Sequence, residues 1–167
     1  MVSICPHCVR TIGTDWREYG ATFEIEHHSE LLARLASRLP AAAGPRETVV
    51  FHDPCYLGRY LNVYEAPREV VGRLAAVVEP GRTRERSFCC GAGGGQMFLG
   101  EEKGQRVNAE RVQELVATGA ATIGTACPFC QTMFRDALGA AAEGSTGAAP
   151  KLADIVQLVA AGLPPAE

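Results

Sequence analysis

The cysteines set the first constraint. Cys55 stands alone, 33 residues separate it from the adjacent pair Cys89-Cys90, and 36 more lead to Cys127-Pro128-Phe129-Cys130. Bringing these five together requires three separate segments to converge, which no single helix or hairpin can do. Cys-x-x-Cys at a strand-to-helix turn aims both sulfurs at one point beside the helix N-terminus, where the dipole favours the thiolate. Neighbouring side chains normally diverge, so Cys89 and Cys90 can share a site only where the backbone bends. The glycines that follow, Gly91, Gly93 and Gly94, permit positive φ and close backbone approach. Their amides could form a nest for an anionic group. Gln96 stands where a dinucleotide fingerprint needs its last glycine, and the Gly-Lys-Ser/Thr of a P-loop is absent.

Composition places these thiols in context. With 167 residues, 47% hydrophobic and 21% charged, the chain can form one globular domain with a real core. A net charge of -3 exerts no general pull toward nucleic acid or anionic membrane. No apolar run approaches the roughly 18–20 residues of a membrane span. The N-terminus lacks the pattern of a signal peptide, so a cytoplasmic location is expected. There, seven cysteines read as ligands or redox thiols rather than disulfides. Soft thiolates select iron–sulfur clusters, zinc or copper(I). Five exceed what tetrahedral zinc needs, and a multi-iron cluster can take adjacent sulfurs on different irons. Zinc is the alternative, and would make the chain a non-catalytic, metal-stabilised interaction domain.

Periodicity predicts an α/β fold. Helix is expected after Cys8 to about Tyr19, a strand over 22–26, and a helix from Ser29 through Leu39. A short linker over 41–46 leads to a buried strand over 48–52. A helix from Pro67 should carry Val70, Val71, Leu74, Val77 and Val78 to Pro80-Gly81. Further expectations are a helix over 101–118, a strand over 121–125, a helix to about Ala142, a loop over 143–150, and a last helix over 152–163.

An internal repeat is visible. Cys5-Pro6-His7-Cys8, a helix and Ser29-Glu30-Leu31-Leu32 match Cys127-Pro128-Phe129-Cys130, a helix and Ala153-Asp154-Ile155-Val156, offset by 122 and 124 residues. Residues 1–40 then read as the end of a truncated first repeat and 47–167 as a complete second one. Cys-Pro-His-Cys alone also suggests a thiol oxidoreductase, but that fold needs a preceding strand, which the few residues before Cys5 are not expected to supply.

The pattern Cys-x33-Cys-Cys-Gly-x35-Cys-Pro-x-Cys resembles the cysteine-rich CCG domain. Around it stand His52-Asp53-Pro54-Cys55-Tyr56-Leu57-Gly58-Arg59, Tyr64-Glu65-Ala66-Pro67-Arg68, Ser87-Phe88-Cys89-Cys90-Gly91 and Ala126-Cys127-Pro128-Phe129-Cys130, words similar to the C-terminal region of larger iron–sulfur oxidoreductases. The family occurs as a tandem pair in heterodisulfide reductase and in iron–sulfur proteins of lactate, glycolate and glycerol-3-phosphate oxidation. The resemblance implies a tandem-repeat fold with short, partly parallel sheets flanked by helices. It implies a [4Fe-4S] cluster, noncubane, on Cys55, Cys89, Cys90, Cys127 and Cys130. It further implies electron transfer between a flavoprotein or iron–sulfur redox partner and a disulfide or quinone-linked acceptor, in a complex that could sit peripherally on a membrane. Cys5 and Cys8 are then half of an incomplete site that another chain or segment would complete. The chain reads as part of an oxidoreductase rather than a complete enzyme. An inactive fragment of a split protein is the other alternative.

Around the ligands, His52 and Asp53 can hydrogen-bond the cluster region or simply turn the chain. Arg59 can offset cluster charge or lie on the surface. His27-His28 is expected as a solvated helix start. Phe88, Met97, Phe98, Phe129, Met133 and Phe134 are expected mainly in the core.

Overall fold

The structure, a computed structural model, describes residues 1–39, 41, 46–99, 104–142 and 149–163. Four strands form a parallel sheet in the order β4-β3-β5-β6: β3 (Thr48–Phe51), β4 (Ala76–Val78), β5 (Thr122–Thr125) and β6 (Lys151–Asp154). Parallel pairing demands cover on both faces, and apolar residues on both sides of β3 supply it. Val50 joins Val112, Leu115, Ile123, Met133 and Phe134 on one side, under helices α5 (Val107–Val116) and α6 (Pro128–Ala142). Val49 and Phe51 join Leu57, Val71 and Ile155 on the other, under α3 (Glu65–Leu74) and α7 (Ile155–Gly162). The result is a three-layer α/β arrangement.

A second, two-stranded parallel sheet pairs β1 (Val2–Ser3) with β2 (Glu26–His27), each followed by a helix, α1 (Pro6–Gly13) and α2 (His28–Arg34). Its register repeats that of the larger sheet. Ser3 lies opposite His27 two residues before Cys5, as Thr125 lies opposite Asp154 two residues before Cys127. His27 and Asp154 each cap the following helix in a capping box. The two helix starts meet where His28 Nε2 reaches Asp154 Oδ1 at 3.0 Å.

Several boundaries differ from expectation. The helix expected through Val78 ends at Leu74, and Ala76–Val78 turns into edge strand β4, paired with Thr48–Val50. Residues 151–154 form strand β6 before the last helix, because a backbone paired to β5 outweighs weak local preference. Helix α2 starts at His28 with His27 as its cap, not Ser29, so the structural offset there is the 127 residues from His27 to Asp154. The expected 22–26 strand contracts to Glu26–His27, and Val2–Ser3 does form a strand before Cys5, since pairing with β2 fixes even two residues. The expected helix over 101–118 is described from Val107 to Val116, the 15–19 stretch is 3₁₀ rather than α, and a short α4 (Gln96–Leu99) follows the glycines. Most of the linker over 41–46 and the loop over 143–150 lie outside the described residues.

Candidate metal centre

The central strands of the larger sheet, β3 and β5, are neighbours from which the chain crosses outward in opposite directions, to β4 and to β6. The crevice at the carboxyl ends of such a pair is where parallel α/β sheets bind ligands. Both strands lead into cysteines there. After β3, Asp53-Pro54 turns the chain to Cys55, which caps a π-helical stretch over Tyr56–Tyr60 closed by Leu61 N–H to the Tyr56 carbonyl at 3.2 Å. Gly58 is needed in it, since a Cβ there would stand 2.5 Å from Tyr64 Cε1. After β5, Cys127 precedes α6, and its carbonyl accepts from Gln131 N–H at 3.0 Å.

The third cysteine segment is held by two buried arginines. Arg68 donates to both oxygens of Asp53, at 2.7 and 2.9 Å, and to Glu79, Thr83 and the Tyr64 carbonyl. Asp53 also accepts from Arg84 N–H at 2.8 Å. Arg111, on α5, links His52 to Ser87, and Ser87 Oγ donates to the Asp53 carbonyl at 3.1 Å. The turn before Cys55 and the segment before Cys89 are thereby tied together. Arg59 joins the same clamp, donating to the carbonyls of Glu85 (3.0 Å) and Ser87.

With these loops fixed, the five thiols form an unbroken run of interacting neighbours: Cys55 with Cys89, Cys89 with Cys90, Cys90 with Cys130, and Cys130 with Cys127. Gly91 bends the chain after the pair at φ 88° and donates its N–H to Cys89 Sγ at 3.3 Å. A Cβ on Gly91 would press within 3.2 Å of Asn108 N and Val107 Cβ. Gly93 and Gly94 continue the loop through a turn that Gly94 breaks with a left-handed φ of 65°. The run goes on past Cys127. His7 hydrogen-bonds Cys127, places Nδ1 3.8 Å from Cys5 Sγ, and Cys5 in turn contacts Cys8. The His7 ring lies 3.9 Å from that of Tyr56 and 4.9 Å from Phe129.

Shared protons follow from these contacts. Cys55 and Cys90 donate to Cys89, with help from Gly91 N–H, and hold Cys89 far below the ordinary thiol range. Cys55 is correspondingly pushed up by that contact and by burial. The Cys130 contact lowers Cys127 to about 5, with His7 adding to it against burial. Contact with Cys127 and then Cys5 raises His7 to about 9. Cys130 is raised by Cys127 and Cys90. His52 is lowered by burial first and by Arg111 second. Five soft sulfur donors at one crevice suit a metal centre, and loading it would displace the thiol protons.

The sequence-level site is thus brought together: Cys55, Cys89, Cys90, Cys127 and Cys130 converge, His52 is buried beside Cys90 and Cys130, and Gly91 touches Cys89. Cys5 and Cys8 lie at the far end of the run, with Cys5 buried and Cys8 exposed. His27 and His28 are not solvated as expected but are 0% and 4% exposed, because the first serves as cap and the second pairs with Asp154. Phe98, expected in the core, is 81% exposed, whereas Phe134 is fully buried. Residues 101–103 lie outside the described residues. Sequence reasoning missed His7, Arg68 and Arg111. The signal for Arg111 was its place on the apolar stripe of α5, between Asn108 and Leu115 and beside Val112. A cleft of about 260 Å³ opens beside the site, between His7, Tyr56, Phe129 and the Gly93–Gly95 turn. A larger hollow of about 520 Å³ lies away from the five thiols, by Met1 and Phe23.

Compared with known proteins, residues 49–135 match the family described as the CCG cysteine-rich domain. This chain belongs to the CCG family. It is 41% identical over 140 residues to the probable iron–sulfur-binding oxidoreductase FadF of Bacillus subtilis, covering 81% of this chain and 20% of FadF. It is 34% identical to the EtfAB:quinone oxidoreductase of Syntrophomonas wolfei, over 95% of this chain and 23% of that protein. With one component of the dihydromethanophenazine:CoB–CoM heterodisulfide reductase of Methanosarcina mazei the identity is 35%, over 95% of this chain and 39% of the relative. The CCG match takes in all five converging cysteines, and the chain spans well under half the length of these relatives.

Proposed function

We propose that Cys55, Cys89, Cys90, Cys127 and Cys130 hold one [4Fe-4S] cluster, in the noncubane form that family resemblance implies, and that the chain is the electron-transfer module of an iron–sulfur oxidoreductase. The observation that carries this is the unbroken run of five sulfurs across the ends of β3 and β5. Held there, such a cluster supplies one-electron transfer. The protein's own part is to fix the ligands and exclude water. Arg68, Arg59 and Arg111 hold the Cys55 and Cys89 segments in register, Gly91 N–H neutralises charge on Cys89, and Met133 and Phe134 pack beneath the sulfurs. His52 borders Cys90 and Cys130, while Gly93 and Gly94 line the cleft beside the site.

Electrons would come from a flavoprotein or another iron–sulfur protein and leave to a disulfide or quinone-linked acceptor, in keeping with the names of the relatives. Residues 1–40 are the closing part of one CCG repeat and 47–167 a second. Cys5 and Cys8 belong to a further site completed by another segment or chain. No described helix is long and apolar enough to cross a membrane, and we place the module in the cytoplasm, at the periphery of a membrane redox complex, with no nucleic-acid partner.

The test is anaerobic expression followed by iron, sulfide and zinc analysis and electron paramagnetic resonance. About four iron and four sulfide per chain are expected, lost in Cys89→Ser or Cys90→Ser. Stoichiometric zinc without sulfide would sink the electron-transfer proposal in favour of a structural metal domain.

A further inference from the structure

Arg111 is the largest side chain wholly shielded from solvent among the described residues. A guanidinium has donors only, and burying its charge is costly unless those donors find partners. Nη1 donates to the Arg82 carbonyl at 2.9 Å and to Glu114 Oε2 at 2.7 Å, and Nη2 to Ser87 Oγ at 3.3 Å. The remaining contact, Nε–H to His52 Nδ1 at 3.2 Å, decides the chemistry of the histidine. Because arginine cannot accept, Nδ1 must present its lone pair, and the proton of the neutral ring must sit on Nε2. A protonated ring would set an Nδ1–H against the guanidinium N–H, so this contact requires the neutral form. Nε2 is buried and has no hydrogen-bond partner among the described residues. Phe134 packs edge-on against the ring at 4.7 Å. One ring nitrogen and the sulfurs of Cys90 and Cys130 all lie within 4.8 Å of one another. A buried N–H without an acceptor is costly, and the sulfurs of Cys90 and Cys130 are the neighbouring groups that a small movement, or a metal drawing the ligands together, would bring to it.

We propose that Arg111 is a positioning residue that locks His52 as an Nε2–H donor to the sulfurs of the metal centre and so keeps His52 from acting as a metal ligand. His52, Cys90 and Cys130 are grouped closely enough to share a metal ion, and the arginine closes that use for the histidine. A hydrogen bond to a ligand sulfur stabilises the more negative, reduced state, so the lock raises the potential of the centre. The proposal rests on the cluster assignment above.

Two measurements test it. Nitrogen-15 NMR of the metal-free chain should show His52 with its proton on Nε2. A proton on Nδ1 would overturn the lock whatever metal the chain takes up. In iron-loaded protein, His52→Leu should lower the midpoint potential, alter the paramagnetic resonance signature and speed iron loss to a chelator about tenfold. His52→Gln, which keeps an N–H donor, should recover part of each change. Arg111→Met should move the potential in the same direction as His52→Leu. If it fails to fold, the two His52 variants and the NMR measurement decide. Unchanged potential and spectrum in His52→Leu at wild-type iron content would overturn the proposal. An Nε2–H tautomer in a chain that takes up no iron would leave the lock intact and overturn the cluster assignment instead.

Discussion

Cys5 and Cys127 each stand two residues beyond a parallel strand and each open a helix with proline in its first position. Their surroundings differ. Every residue of β5 is buried, flanked by β3 on one side and β6 on the other. β1 has one neighbour among the described residues, and Val2 and Ile4 are about half exposed, at 48% and 52%. Cys127 and Cys130 are buried and join three more thiols that β3 and its following loops deliver, whereas Cys8 is exposed and Cys5 has Cys8 and His7 as its hydrogen-bonding neighbours among the described residues. The same local motif therefore becomes a five-sulfur centre only where a second strand of the sheet supplies partners. The ligand turn is a local property and the centre is a tertiary one.

The sharpest way to break this comparison is to exchange the cysteines. Cys127→Ser should abolish iron uptake, while Cys5→Ser should leave most of the iron in place. Equal loss in both, by metal analysis, would mean that the two turns serve one centre. Next in size is the clamp. Arg68→Leu strands a buried Asp53 and should cost about 3–5 kcal/mol in denaturant unfolding. Arg34→Ala in the β1–β2 unit breaks an ion pair with Glu26 at the surface and should leave denaturant unfolding nearly unchanged.

Between these lies His27, lowered to about 4 chiefly by burial. Its ring reaches the Ile4 carbonyl at 3.3 Å and also the Ala126 carbonyl, just before Cys5 and Cys127 respectively. Between the ordinary value near 6.5 and about 4, the unfolded chain takes up a proton that the folded ring refuses. Its stabilisation is therefore complete above about 6.5 and falls as the pH drops through that window, by about 3 kcal/mol in all. His27→Asn keeps a capping acceptor without titrating, and should flatten that part of the pH dependence of unfolding.

The convergence of the thiols was legible because their spacing is chemical: Cys55, Cys89-Cys90 and Cys127-x-x-Cys130 invite a common site, and the structure makes them neighbours. Strands β3 and β5 were legible as short apolar runs ending in turns. Val77 and Val78 misled because an apolar run after a helix reads as more helix, and only pairing with β3 makes it a strand. Lys151–Asp154 has the same explanation on the opposite edge, where β5 dictates the conformation. The buried charges were hidden for another reason. Arg111 and His52 are 59 residues apart and Arg68 and Asp53 15 apart, and a polar residue can be recognised as buried only when its partner is known.

The sheet also dictates an order of events. Strands β3 and β5 are parallel, and the Ala121 N–H that donates to Thr48 Oγ1 beside them is 73 residues further along the chain. Closing a loop of that length is entropically unfavourable until the sheet contacts form, and such non-local pairing is slow. Cys55 and Cys127 are therefore strangers in a nascent chain and neighbours only in a folded one. A metal centre held by them, as proposed above, would be inserted into a finished scaffold rather than seed it, unlike the small zinc modules in which the ion itself organises the polypeptide.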